Sequence, residues 1–147
     1  MVTSKECLAK WGSPLKTENQ GKYMVRWEVP LYIRQSIPIL PKYIYCNKQM
    51  VVPLEVALLN VIDRGLVDEI KTWNGCFNIR KKRGKNSWSL HSWGIAIDIN
   101  KDTNDYNMKP QMSPELVKCF TDAGFEWGGE WTNPIDGMHF QLAYLTE

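Results

Sequence analysis

Ser89-Leu90-His91-Ser92-Trp93-Gly94-Ile95-Ala96-Ile97-Asp98-Ile99-Asn100 is the stretch on which the fold turns. From Ile95 onward the residues alternate, with Ile95, Ile97 and Ile99 on one side and Ala96, Asp98 and Asn100 on the other. Period-two alternation with β-branched residues on one side predicts a half-buried strand over 95–100. The isoleucines face the core, and Asp98 lies on the opposite face beside the small Ala96. Gly94, at the start of that strand, permits a sharp approach that a Cβ would obstruct.

Asp136-Gly137-Met138-His139-Phe140-Gln141-Leu142-Ala143-Tyr144 alternates as well. It puts Phe140, Leu142 and Tyr144 on one face and His139, Gln141 and Ala143 on the other. Were the two strands to share a sheet, His91, Asp98 and His139 would converge on its polar face, with Asp136 at the rim. The chain has only two histidines, and both fall in these segments. A lone histidine is more often a hydrogen-bonded structural residue; two imidazoles and a carboxylate with a position left open suit a catalytic zinc. Imidazole is a poor ligand for the harder cations magnesium and calcium, which favours zinc over both.

These residues also carry a resemblance. Ser89-x-His91-x-x-Gly94-x-Ala96-x-Asp98 followed by Asp136-x-x-His139 resembles the paired signatures of the zinc D-Ala-D-Ala carboxypeptidase and L-alanyl-D-glutamate endopeptidase family. Gly124-Phe125-Glu126-Trp127-Gly128-Gly129 looks like its phage endolysin and bacterial autolysin branch. The likeness runs from about Pro53 to the end. It implies a fold of the hedgehog and DD-peptidase type, one zinc ion held by His91, Asp98 and His139, and the stem peptide of peptidoglycan as substrate. L-alanyl-D-glutamate is the favoured bond, with D-Ala-D-Ala carboxypeptidase or dipeptidase activity as the alternative. A non-catalytic, hedgehog-like zinc-binding module is the competing reading from another class.

Asp136, three residues before a ligand, is itself able to reach a metal. With three ligands already assigned, its expected role is general base, taking a proton from the attacking water and later delivering it to the leaving amine. The family has an arginine before its first histidine, placed to stabilise the oxyanion; Arg80 is the candidate here, with Arg83 close by in the same basic run. Ser89 is expected to orient the site or bind substrate through its hydroxyl. Gln141 departs from the family, which often has Glu at that position. Lys81-Lys82-Arg83-x-Lys85 is the densest positive cluster, either a solvated loop or an attraction for anionic wall polymers and substrate carboxylates. Asn100-x-Asp102-x-Asn104 resembles the start of a calcium loop, without the glycine and terminal glutamate that such a loop needs.

The rest of the chain bounds these readings. Its 147 residues suffice for a real core and predict one peptidase domain over 1–147, with the motifs in 53–147 and no separate wall-binding domain. Composition is ordinary for a soluble globular protein, at 44% hydrophobic and 23% charged. A net charge of +2 gives no argument for nucleic acid as a partner, and no apolar run is long enough for membrane insertion. The N-terminus lacks the apolar core of a signal peptide, so the expectation is a monomer made in the host cytoplasm that reaches the cell wall after release. That places the four cysteines, Cys7, Cys46, Cys76 and Cys119, as free and mostly buried thiols.

In chain order, Thr3-x-x-Glu6 caps a short helix with Leu8 and Trp11 inward, stopped by Gly12 and Pro14. Lys16 to Lys22 reads as loop, and Tyr23 to Ile33 as a strand turning near Pro30. Pro38 and Pro41 bracket a connector before a short strand at Tyr43-Ile44-Tyr45. A helix is expected from Pro53 to Gly65, a strand over Ile70–Phe77, and a helix opening at Ser113-Pro114-Glu115 with Leu116, Cys119, Phe120 and Ala123 inward. The class is α+β, with a few helices packed on a mainly antiparallel sheet.

Overall fold

The alternating isoleucines lie in an inner strand of the larger of two sheets. A computed structural model describes residues 1–146. In chain order the elements are α1 (Ser4–Trp11), α2 (Thr17–Tyr23), β1 (Met24–Glu28), α3 (Leu31–Ser36), β2 (Tyr43–Asn47), α4 (Val51–Asp63), β3 (Trp73–Gly75), β4 (Ala96–Ile99), α5 (Pro114–Thr121), β5 (Phe125–Trp127) and β6 (His139–Leu142). The fold is α+β. Strands β3-β4-β6-β5 form an antiparallel sheet in that order, and β1 pairs with β2 in a separate two-stranded ribbon.

The two motif strands are direct neighbours. Their register sets Ala96 opposite Gln141, Ile97 opposite Phe140 and Asp98 opposite His139. Paired residues of an antiparallel ladder project from the same face, so this register delivers Asp98 and His139 to one side together. On the other side Ile95, Ile97, Ile99 and Phe140 are all but inaccessible. Phe120 of α5 stacks on Phe140 with ring centroids 4.6 Å apart and meets Phe125 edge-on at 5.8 Å. Each such aromatic side chain contributes about 1.5–3 kcal/mol by burial, so the sheet is held flat against α5 from beneath the site. Asn60 of α4 donates to the Cys119 carbonyl of α5 at 2.9 Å, tying the two helices together.

Helix α5 begins as its sequence dictates, with Ser113 Oγ accepting from Leu116 N at 3.1 Å. Thr3 caps α1 through Glu6 N in the same way. Helix α4 starts earlier than Pro53, at Val51, because a 3-10 turn over Lys48–Met50, capped by Asn47, runs directly into it. It ends as expected at Gly65, whose φ of 72° closes the last turn, with Leu66 N donating to Val61 O at 2.9 Å.

Other expectations are corrected. Residues 17–23, read as loop, form α2; its one buried side chain, Tyr23, stacks on Trp11 at 5.6 Å, and that tertiary contact supplies what the polar sequence lacks. The strand expected through Ile33 stops at Glu28, and Leu31–Ser36 is helical because Pro30 opens a turn whose carbonyl accepts from Ile33 and Arg34. The expected 70–77 strand is cut to Trp73–Gly75; just before it, Lys71 N and Thr72 N are taken by the Asn100 side chain and not by a neighbouring strand. Leu8 stays 40% exposed, while Cys7 takes the inward position on α1. Tyr144 is exposed, since β6 ends at Leu142.

Nor is the polar face of β4 solvated: Ala96, Gln141 and His139 on the two central strands are all buried. Asn100 leaves that face altogether. Its backbone is left-handed at φ 55°, and its side chain bonds Lys71 N, Thr72 N and the Glu69 carbonyl. Asn104 in turn bonds the Asn100 carbonyl and Gln111 N. The amide oxygens of Asn100 and Asn104, two of the three groups that suggested a calcium loop, are therefore spent on backbone donors. All four cysteines are free and buried. No helix among the described residues is long and apolar enough to cross a membrane.

Candidate active site

His91 sits in a 3-10 turn, Leu90–Trp93, that is fixed at both ends. Ser89 Oγ accepts from His91 N at 3.3 Å, and Gly94 N donates to the His91 carbonyl at 3.1 Å. Gly94 has φ 68°, and a Cβ there would stand 2.7 Å from both Asn47 N and Met24 Cε. Only glycine allows the β1–β2 ribbon to come so close, and the ribbon uses the approach. Asn47 N donates to the Gly94 carbonyl at 3.1 Å and Asn47 Nδ2 to the Trp93 carbonyl at 3.0 Å. Trp93 is fully buried and donates to the Gly12 carbonyl at 2.9 Å. The N-terminal fifty residues thus form the back wall of the turn.

The two rings are oriented by their outer nitrogens. His91 Nδ1 lies 2.6 Å from the Cys76 carbonyl, which only accepts, so Nδ1 carries the proton and Nε2 presents a lone pair. His139 Nε2 lies 2.9 Å from Gln141 Oε1, leaving Nδ1 as its inward lone pair. Both inward nitrogens face one carboxylate: His91 Nε2 is 3.2 Å from Asp98 Oδ2, and His139 Nδ1 is 3.5 Å from Asp98 Oδ1. The rings stand edge to face with centroids 5.1 Å apart. Three acceptors therefore converge with no hydrogen to share between neutral rings. His91 Nε2 and Asp98 Oδ1 are buried without a hydrogen-bond partner. Buried acceptors left in this state are costly unless a cation satisfies them. One ligand atom from each of His91, Asp98 and His139 lies within 4.8 Å of the others, so the group is able to hold a metal ion.

Charge in the cluster is tightly linked. Burial pushes the Asp98 carboxyl up, but when the two imidazoles are protonated, hydrogen bonds and charge from His139 and His91 override it and hold the group well below the usual carboxylate range. His139 is pulled down by burial and raised on balance by Asp98 and Asp136. Asp136 is raised, by burial first and by the charge of Asp98, with His139, His91 and Arg80 opposing.

Asp136 stands just outside the trio, its Oδ2 3.8 Å from His139 Nδ1. Its backbone is clamped on two sides. Asp136 N donates to the Gly128 carbonyl at 2.9 Å, and residue 136 bridges to Tyr106. Gly128 touches this segment so closely that a Cβ would collide with the Asp136 carbonyl oxygen. The Trp127-Gly128-Gly129 sequence thus has a local task, which is to let the chain carrying Asp136 lie against it.

A cleft of about 480 Å³ opens over this cluster, bordered by Arg80, Ser89, Trp131, Asp136, His139 and Gln141. Arg80 is half-buried, and its carbonyl accepts from Ser89 N at 2.8 Å and Ser92 Oγ at 3.1 Å. Arg83 also borders the cleft, but it is exposed and its guanidinium lies over the Tyr106 ring at 4.3 Å. One contributor is invisible in the sequence: the Cys76 carbonyl acts through the backbone, which no side-chain pattern announces. Trp88, Trp93, Trp127 and Trp131 all crowd the motifs in the sequence, as packing or as cleft walls; of these Trp131 borders the cleft, its ring centroid 5.2 Å from that of His139.

Residues 82–142, which include both histidines and both aspartates, match the profile of a peptidase family, M15, described as D-alanyl-D-alanine carboxypeptidase. This segment resembles the M15 peptidases. The match supports a metallopeptidase that acts on peptidoglycan. The structure of the Serratia marcescens L-Ala D-Glu endopeptidase ChiX is also similar, at 19% identity and a TM-score of 0.41, covering 80% of this chain and 90% of that one.

Proposed function

We propose that this protein is a zinc peptidase of the M15 type cutting the stem peptide of peptidoglycan, with L-alanyl-D-glutamate as its bond. The observation that carries the metal reading is the convergence of His91 Nε2, His139 Nδ1 and Asp98, three acceptors with no donor among them. Two imidazoles and one carboxylate are a donor set suited to zinc in a site that keeps an open position. When bound, zinc supplies Lewis acidity, polarising the scissile carbonyl and lowering the pKa of water.

The protein's own residues account for the remaining steps. Asp136, raised above the ordinary carboxylate value and placed beside the trio, accepts the proton of the attacking water and passes it to the departing amine. Arg80 directs a fixed positive charge at the oxyanion that develops on the carbonyl, an interaction made mainly in the transition state. Ser89 holds the His91 turn and lines the cleft where the substrate backbone lies. Gln141 keeps the His139 ring from rotating.

The choice of bond rests on the Trp127-Gly128-Gly129 neighbourhood, which resembles the endolysin branch. A D-Ala-D-Ala carboxypeptidase is the second reading, favoured by the family description of residues 82–142. We place the protein as a monomeric phage endolysin, made in the host cytoplasm and acting on the wall after release. Digesting purified peptidoglycan and identifying the new chain ends by mass spectrometry tests the assignment. New amino-terminal D-glutamate supports the endopeptidase, free D-alanine alone replaces it with the carboxypeptidase, and no release of amine refutes both.

A further inference from the structure

Two grooves meet at the histidine–aspartate cluster. The cleft on the His139 side is walled by Trp131 and Pro134 and contains Asp136. On the Asp98 side lies a second groove of about 340 Å³, bordered by Asn74, Asn78, Lys81 and Lys101. Arg80, Arg83 and Met138 border both, so the grooves run into each other across the reacting centre.

The second groove is strongly one-sided in charge. Arg80, Lys81, Arg83 and Lys101 surround it, and its only carboxylate, Asp98, is turned to the two imidazoles. Two of these cations are engaged: Lys81 Nζ donates to the Asn86 carbonyl at 2.9 Å and lies over the Trp88 ring, and Arg83 lies over Tyr106. Arg80 borders both grooves and is the residue assigned above to the oxyanion. Lys101 has no side-chain hydrogen bond or ion pair among the described residues, yet its backbone is anchored, with Lys101 N donating to Asn74 Oδ1 at 3.0 Å. Asn74 Oδ1 is in turn held by Thr72 Oγ1 at 2.8 Å. Asn78 is anchored opposite, its N donating to the His91 carbonyl at 3.1 Å. An ammonium and an amide thus stand on fixed backbone around a compact space beside the scissile position. Such a space favours a small anion and disfavours an apolar or cationic group.

We propose that this groove is a carboxylate-recognising subsite, in which Lys101 determines specificity for a substrate carrying a free carboxylate next to the bond that is cut. The inference rests on the peptidase reading above and orients the substrate: its carboxylate-bearing side lies over Asp98, and its other side lies along Trp131.

The test uses two synthetic stem peptides containing L-alanyl-γ-D-glutamate, identical except that the α-carboxylate of the D-glutamate is free in one and a carboxamide in the other. Binding is measured by calorimetry and turnover by amine release, on the metal-loaded wild type, Lys101→Met and Lys101→Arg. Wild type is expected to bind the carboxylate peptide about tenfold more tightly than the amide, the scale of one charge-assisted contact. Lys101→Met should lose that preference through KM with kcat little changed, and Lys101→Arg should keep most of it. Equal binding of the two peptides by wild type, an unchanged preference in Lys101→Met, or a fall in kcat alone overturns the proposal. Were both peptides bound with the expected preference but neither cut, the bond assignment would fail while the subsite stood.

Discussion

Asp98 and His139 are directly paired across the β4–β6 ladder, and Asp98 Oδ1 lies 3.5 Å from His139 Nδ1. Backbone hydrogen bonding therefore sets the spacing of two of the three side chains able to hold a metal. The third, His91, comes from a turn braced by the N-terminal ribbon, and its ring meets the pair from above. A site assembled from one rigid ladder and one braced turn has a definite set of consequences.

The first is metal content. Purified protein should hold one zinc per chain, and His91→Ala or His139→Ala should lose most of it by elemental analysis. Because the ion binds the folded state alone, chelation should lower the melting temperature measurably. Full zinc in both variants would remove these histidines from the site.

Asp136→Asn separates base from ligand. It removes proton acceptance while keeping size, so zinc content and melting temperature should stay near wild type as hydrolysis falls about 100-fold or more. Zinc and turnover are measured on the same preparation. Loss of the metal would make Asp136 a ligand; retained turnover would leave the reaction without the base assigned here.

Arg80→Ala should lower kcat more than it raises KM, at a cost on the order of 2–4 kcal/mol in transition-state stabilisation. Arg83→Ala should do less, since that guanidinium lies over Tyr106. Steady-state kinetics on both variants decide between them. A larger effect at Arg83 would exchange the two roles.

Gly128→Ala tests how Asp136 is positioned. The added methyl meets the Asp136 carbonyl oxygen, so the segment must move. The expected outcome is a clear loss of kcat with metal retained, because the added methyl presses on the Asp136 segment. Wild-type kcat in a folded Gly128→Ala enzyme would show that Asp136 tolerates displacement.

The cysteines should be silent. Burial pushes the Cys7 and Cys46 thiols up to about 12, raises Cys76 well above its ordinary value, and also raises Cys119. A group with a raised pKa stays protonated below it, so at pH 8 almost no thiolate is present for alkylation. Native protein should react slowly with a maleimide, and all four thiols should react once denaturant is added. Rapid labelling of the native chain would contradict the buried placement.

Much of this site was legible in the chain. The alternation in 95–100 and 139–144 put Asp98 and His139 on one face, and the presence of only two histidines tied them to a single centre. The helix caps at Thr3 and Ser113 were equally readable, because a capping side chain bonds a backbone group three residues away. Local rules failed where stability came from distant contacts. Helix α2 depends on Tyr23 meeting Trp11, whereas the early start of α4 is local, set by the Asn47-capped 3-10 turn that runs into it.

Sequence by itself therefore determined which residues within β4 and β6 face which way, since period is a property of neighbouring positions. It determined the identity of the converging histidines and aspartates for the same reason. Tertiary structure alone decided which ring nitrogen of each histidine points inward, through the Cys76 carbonyl for His91 and Gln141 for His139. It also decided that Lys101 faces the groove beside Asp98, because β4 ends in a turn pinned by Asn74 and Asn100. Apart from the Gln141–His139 contact, which lies within one strand, these outcomes depend on hydrogen bonds between segments far apart in the chain, whose geometry exists only after those segments have packed.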